Sequence, residues 1–260
     1  MAFLAQPNGG QIYYELIEGP ADRPVLVFLH EGLGCTAMWK AFPQRLCAAV
    51  GHPGLVYDRT GHGKSSPTHR DRTIHYLHES ALQELPAVLE GAIGARDHIL
   101  VGHSDGGSIA LIYAAERPAA LCGVITEAAH VFIENETIMG IELAVRAYEA
   151  GKLEGLARYH AEKTDRLFRA WAHTWLAPWF RSWNIEYALP SIQHPVLALQ
   201  GAEDQYGTGA QVKAITAGNP LRRGLMVEGG GHTPHGDQPE VLLGLMAEFI
   251  AEIASLKRAG

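Results

Sequence analysis

The chain has 260 residues, 47% hydrophobic and 19% charged, a globular composition sized for one large domain or a core with one inserted subdomain at about 150 residues per domain. Lys and Arg total 21 against 28 for Asp and Glu, a formal charge of −7 that argues against a protein tracking nucleic-acid backbones. Cys35, Cys47 and Cys122 form neither a disulfide framework nor a CxxC pair and are expected as buried fillers.

The opening segment lacks a basic start followed by a long apolar run, and no stretch of 18 apolar residues occurs. A soluble protein of a reducing cytoplasm is expected, without membrane contact and with homodimerisation left open. After an Asn8-Gly9 turn signal, residues 11–18 alternate weakly and predict antiparallel edge strands. From residue 25 short β-branched runs alternate with helical periods, predicting an α/β fold with a mostly parallel central sheet flanked by helices. The expected strands cover 25–30, 55–58, 98–102, 123–127, 195–201 and 224–228. The expected helices cover 38–50, 73–93, 104–117, 209–217 and 239–257.

One interval breaks this rhythm. Between residues 127 and 195 there is no good strand, too long a gap for a plain βα connection. Three helical periods, 138–150, 153–163 and 165–176, predict a helical cap over 134–186 inserted in a core made of 1–133 and 187–260. Phe168, Trp171, Trp175 and Trp179 follow one another at helical steps, first of all as packing between cap and base. Some of these rings, with Ile138 and Leu143, also suit the lining of a hydrophobic pocket. Arg146, Arg158, Arg166 and Arg169 in the same stretch read as solvated charges rather than as clamps for a carboxylate.

The strongest local signal is Gly102-His103-Ser104-Asp105-Gly106-Gly107, set between an apolar strand and a helical run. A G-x-S-x-G turn at that junction lifts the serine hydroxyl above the sheet edge, because glycines two before and two after avoid Cβ clashes. The helix N-terminus then points NH groups to where charge develops on an attacked carbonyl. A serine needs a base and a group to orient that base. Asp204 and His232 each follow a late strand, so the order Ser104, Asp204, His232 puts three candidate catalytic residues at the carboxyl ends of strands, where open α/β sheets bind ligands. The loop after the first parallel strand, His30-Glu31-Gly32-Leu33-Gly34, offers a second NH donor beside that of Asp105. Gly32 is the first candidate and Leu33 the reserve, for an oxyanion clamp worth about 3 to 4 kcal/mol per donor.

These motifs, with Asp58-Arg59-Thr60-Gly61-His62-Gly63-Lys64-Ser65 matching D-x-x-G-x-G-x-S, resemble the α/β-hydrolase fold superfamily over the whole chain except the cap. The resemblance implies a cofactor-free Ser/His/Asp hydrolase with an acyl pocket beneath a helical cap, the D-x-x-G loop buttressing the site. Two departures stand out: Glu31 occupies a position where relatives usually carry glycine, and Asp105 follows the nucleophile. Both place carboxylates near the oxyanion, so either they turn away or the substrate tolerates them.

Asp105 as nucleophile, as in dehalogenase-like relatives, is disfavoured by the bulky His103 two positions before it. Glu127, at another strand end, rivals Asp204 as the acid. His232-Thr233-Pro234-His235 has no helix or carboxylate set for a metal, and His30 and His62 read as loop hydrogen-bonders. Glu31, His103, Leu143, Trp171 and Trp175 are the candidate substrate contacts. The expected function is hydrolysis of small or medium carboxylic esters. Carbon-carbon cleavage of ring-fission products, lactone hydrolysis and thioester hydrolysis follow, and a non-catalytic small-molecule receptor is the alternative of a different class.

Overall fold

The computed structural model describes residues 2–6, 9–68 and 70–259. Asn8 of the expected turn lies outside these residues. Among these residues eight strands form one sheet: β1 (Ala2–Ala5), β2 (Gln11–Ile17), β3 (Val25–Leu29), β4 (Gly54–Tyr57), β5 (His98–His103), β6 (Leu121–Glu127), β7 (Val196–Gly201) and β8 (Arg222–Val227). Their order is β1-β2-β4-β3-β5-β6-β7-β8. From β4 to β8 every neighbouring pair is parallel, and β2 runs antiparallel to both β1 and β4. The segment expected at the edge is therefore second from it, and the edge itself is the short β1.

Among the described residues the α-helices are α1 (Phe42–Val50), α2 (Tyr76–Glu79), α3 (Leu85–Ile93), α4 (Asp105–Ala115), α5 (Asn135–Glu149), α6 (Ala157–His160), α7 (Thr164–Leu176), α8 (Gly209–Thr216), α9 (Pro234–Asp237) and α10 (Pro239–Ala259). One expected helix over 73–93 is α2 and α3 joined by a π-turn at Ser80–Glu84, and the one over 38–50 starts as a separate 3-10 turn. The central strands are buried on both faces, so they read as unbroken apolar runs. In β3, Val25, Val27 and Leu29 pack toward α4, while Leu26 and Phe28 pack toward α1 and α10 with Leu46, Met246 and Phe249. Helix α4 is buried from Asp105 to Ala114, which makes it the rigid support of the turn before it.

Between β6 and β7 the chain leaves the sheet and returns to nearly the same place: Phe132 bridges Asn184, and the NH of Ile185 donates to Val131 O at 2.7 Å. Helices α5 and α7 fill this excursion. The helix expected over 153–163 is broken into α6 flanked by 3-10 turns, with Ala161 at a left-handed φ of 50° where it ends. No described helix is long and apolar enough to cross a membrane.

Candidate active site

Ser104 sits between β5 and α4 with φ 52° and ψ −115°, a backbone conformation that costs an L-residue of order 1 to 3 kcal/mol and is held by its surroundings. The flanking glycines are required by contact. A Cβ on Gly102 would stand 2.3 Å from the Gly106 carbonyl oxygen, and one on Gly106 would stand 2.0 Å from that of Leu29. At this bend the Ser104 hydroxyl lies 3.0 Å from His232 Nε2, and His232 Nδ1 lies 2.9 and 3.0 Å from the two oxygens of Asp204. Asp204 is itself oriented by the NH of Tyr206 at 2.8 Å and by Gln200 Nε2 at 2.5 Å. Burial alone would raise its pKa, but the bonds from His232 and Tyr206 outweigh it and hold the carboxyl below the usual range. An ionised Asp204 accepts the proton of Nδ1, so the Nε2 lone pair faces the serine hydroxyl.

Glu127 has a different partner. Its Oε2 lies 2.8 Å from Nδ1 of His235, whose ring stacks on Trp39 with centroids 4.6 Å apart. Burial opposes ionisation of Glu127, yet His235 keeps its pKa below the ordinary value. Asp204 and Glu127 thus hold two different histidines, and Asp204 alone of the two lies against His232. Among the described residues no group of three or more His, Cys, Asp or Glu side chains could hold a metal ion.

The departures near the expected oxyanion resolve in different ways. Asp105 turns its carboxylate away, toward Tyr76 Oη at 3.2 Å and the Arg59 guanidinium at 3.4 and 3.5 Å. Glu31 stays on the cavity wall. Its carboxylate folds over Gly34, where any Cβ would collide with it, and meets His103 Nδ1 at 3.7 Å. Burial by itself would lower His103 and raise Glu31, but their mutual contact prevails, pushing His103 up to about 9 and Glu31 down to about 2. His103 Nε2 donates to the backbone carbonyl of His232 at 2.6 Å, so the imidazolium ties the Glu31 loop, through an ion pair, to the His232 loop, through a hydrogen bond.

A cavity of about 370 Å³ opens over Ser104. Gly32, Leu33, Asp105, Trp171, Trp175 and Glu31 all line it. Gly32 is fixed as glycine by Trp171, whose indole would lie 2.7 Å from a Cβ there. Two expected contacts fail. Leu143 is 59% exposed on the outer side of α5, and the inner side presents Thr137, Ile141 and Ala144. His103 lies buried behind Ser104 and does not line the cavity. Missed in the sequence were Tyr206, Ile141, Leu153 and Leu156; only Tyr206 carried a signal, two residues beyond Asp204. Trp179, expected to continue the aromatic stripe, falls after the end of α7 and is 48% exposed.

A model of the Alpha/beta hydrolase family matches residues 26–245. The chain is 32% identical over 105 residues to a mouse (Mus musculus) sn-1-specific diacylglycerol lipase, covering 40% of this chain and 32% of that one. It is 27% identical over 156 residues to a 2-succinyl-6-hydroxy-2,4-cyclohexadiene-1-carboxylate synthase of Enterobacter sp., covering 59% and 54%. The matches thus span about a third to just over half of these relatives. Among solved structures, carboxylesterase work on Nitrososphaera gargenis gives a TM-score of 0.75 at 21% identity over 98% of this chain and 99% of that one. An enol-lactonase from Burkholderia xenovorans gives 0.73 at 18% over 96% and 100%. At these identities the two structures speak for the fold, and the family match over residues 26–245 goes further: the chain belongs to the Alpha/beta hydrolase family.

Proposed function

We propose that this protein is a serine hydrolase that cleaves carboxylic esters of small or medium size through an acyl-enzyme. The observation that carries the reading is the line from Asp204 through His232 to Ser104, with spacings of 2.9 and 3.0 Å, ending at the floor of an apolar cavity. In the first step Ser104 Oγ attacks the ester carbonyl while His232 Nε2 takes the hydroxyl proton, and Asp204 stabilises the resulting imidazolium. The NH groups of Gly32 and Asp105 receive the negative charge on the tetrahedral oxygen. His232 then protonates the leaving alcohol. A water activated by the same nitrogen hydrolyses the acyl-enzyme and restores the serine.

Residues 134–186 serve in this reading as a cap, with Ile141, Ala144, Leu153, Trp171 and Trp175 enclosing the apolar part of the substrate. The Glu31 carboxylate on the wall favours substrates neutral beside the scissile bond. Lactones, neutral beside the scissile bond as simple esters are, are the nearest variant.

Labelling with a fluorophosphonate, read by intact mass, tests the reading together with turnover of p-nitrophenyl esters. One adduct is expected in the parent and none in Ser104→Ala, whose ester hydrolysis falls to background. An unlabelled parent would favour a receptor, and labelling without ester turnover would redirect the substrate class.

A further inference from the structure

We propose that a second cavity, lined by Arg59, Arg72 and Arg166, binds a small organic anion bearing a carboxylate or a phosphate. This cavity, about 420 Å³, lies between the loop after β4, the helical stretch 76–93 and the start of α7, a size in the range of small-molecule sites. Its cations are Arg59, Arg70, Arg72, Lys163 and Arg166, against the carboxyls of Asp71, Glu79 and Glu84. That local surplus of positive charge stands in a chain whose formal charge is −7. Burial raises the pKa of Glu84, which accepts the NH of Thr60 at 3.0 Å. His62, also in the wall, adds no charge: burial and then Arg59 hold its pKa well below the ordinary value.

Two of the guanidiniums carry a buried nitrogen without an acceptor among the described residues, and the ammonium has no carboxylate partner. Lys163 Nζ meets only backbone carbonyls, those of Gly63 at 2.5 Å and Ser65 at 2.6 Å among them, which bind an ammonium without neutralising it. Arg72 lies over the Tyr76 ring, 4.7 Å from its centroid, and its Nη1 is buried with no hydrogen-bond partner among the described residues. Arg59 is 3% exposed; its two terminal nitrogens already meet the Asp105 carboxylate at 3.4 and 3.5 Å and one of them the Glu31 carbonyl at 2.8 Å, but its Nε is buried with no hydrogen-bond partner among the described residues. Buried guanidinium hydrogens without acceptors are costly, and planar two-oxygen anions match them best. Leu4, Ile12, Val88 and Leu167 in the same wall offer apolar surface for the remainder of such a ligand. Arg59 is shared with the Glu31 loop and Asp105, but binding is read without turnover, so its failure is distinguishable from failure of the proposed hydrolysis.

The test is calorimetric titration of the full chain with inorganic phosphate and, separately, acetate at constant ionic strength. Saturable single-site binding is expected for at least one of them, and the preferred probe identifies the headgroup. Arg72→Met and Arg166→Ala are each expected to weaken it tenfold or more. Arg146→Ala, whose guanidinium pairs with Glu142 on the exposed side of α5, leaves it unchanged. Should Arg72→Met fail to fold by circular dichroism, the exposed Arg166 decides. Absence of saturable binding with both probes, or binding unaltered in the folded variants, overturns the proposal.

Discussion

The guanidinium of Arg59 donates to the backbone carbonyl of Glu31 at 2.8 Å, and the NH at the other end of that peptide belongs to Gly32. The same carbonyl also accepts from His30 Nδ1 at 2.8 Å and from the Gly34 NH at 3.1 Å. The His30 tautomer is fixed, because its Nε2 accepts the NH of Arg59 at 3.0 Å. Three donors on one carbonyl polarise the amide, and a polarised amide is a stronger donor through its own NH. Arg59 also bonds the side chain of Asp105, so one guanidinium braces both candidate oxyanion donors.

Loss of that brace acts on the transition state. Arg59→Met is expected to lower kcat on the order of tenfold with KM little changed, a fraction of the loss seen when a donor is deleted outright. It also leaves the buried Asp105 carboxylate without its cation, at a stability cost of about 3 to 5 kcal/mol. Adding Asp105→Asn should recover much of the stability and little of the rate. Steady-state kinetics and urea unfolding separate the two effects; a rise in KM at constant kcat would reject the polarisation account.

The Ser104 turn was legible because its requirement is local: two glycines spaced around a serine, at a strand-to-helix junction, answer two backbone collisions. The chain order of Asp204 and His232 was legible because each follows a strand of an open sheet. Leu143 misled because a helix's apolar count does not fix which way the helix is turned. The inner side of α5 is made of Thr137, Gly140, Ile141 and Ala144 at helical steps, and two of these are not hydrophobic. Strand β1 escaped notice because four residues alternating between partly buried and exposed give almost no periodic signal. The pairing of Glu31 with His103 depends on β3 and β5 being parallel neighbours, with Leu29 beside Gly102, and nothing in the linear order states that adjacency.

Backbone strain at Ser104 makes a prediction that separates stability from activity. Glycine tolerates its φ of 52° without a Cβ penalty, whereas alanine does not. Ser104→Gly is therefore expected to be more stable than Ser104→Ala by about 1 kcal/mol, while both are inactive. Thermal unfolding of the two variants decides, and equal melting temperatures would mean the turn stores no strain.

The two acid–histidine pairs call for opposite outcomes. Asp204→Asn removes the acceptor that fixes the His232 tautomer, and kcat is expected to fall on the order of ten-thousandfold, as in other serine triads. Glu127→Gln disturbs a buried side-chain pair while keeping the backbone carbonyl that accepts the Ser104 NH at 2.8 Å, so it should reduce stability and leave kcat within a few-fold of the parent. A large loss of kcat in Glu127→Gln, with Asp204→Asn nearly active, would exchange their roles.

The contact between Glu31 and His103 sets a pH dependence of stability whose sign follows from the two shifts. His103 rises from an ordinary 6.5 to about 9, so its contribution is complete below 6.5 and disappears as pH climbs through about 9. Glu31 falls from 4.5 to about 2, so its contribution is complete above 4.5 and disappears as pH drops through about 2. Both shifts describe one pair, which places its plateau between 4.5 and 6.5. Urea unfolding of the parent should therefore show stability declining from pH 6.5 to 9. In Glu31→Gln, burial acts on His103 with only the more distant Glu127 charge and the His232 carbonyl opposing it, so the pKa of the histidine falls and most of that slope should vanish. A slope that persists unchanged in Glu31→Gln would assign the dependence to other groups and leave the two loops tied by the bond from His103 to the His232 carbonyl alone.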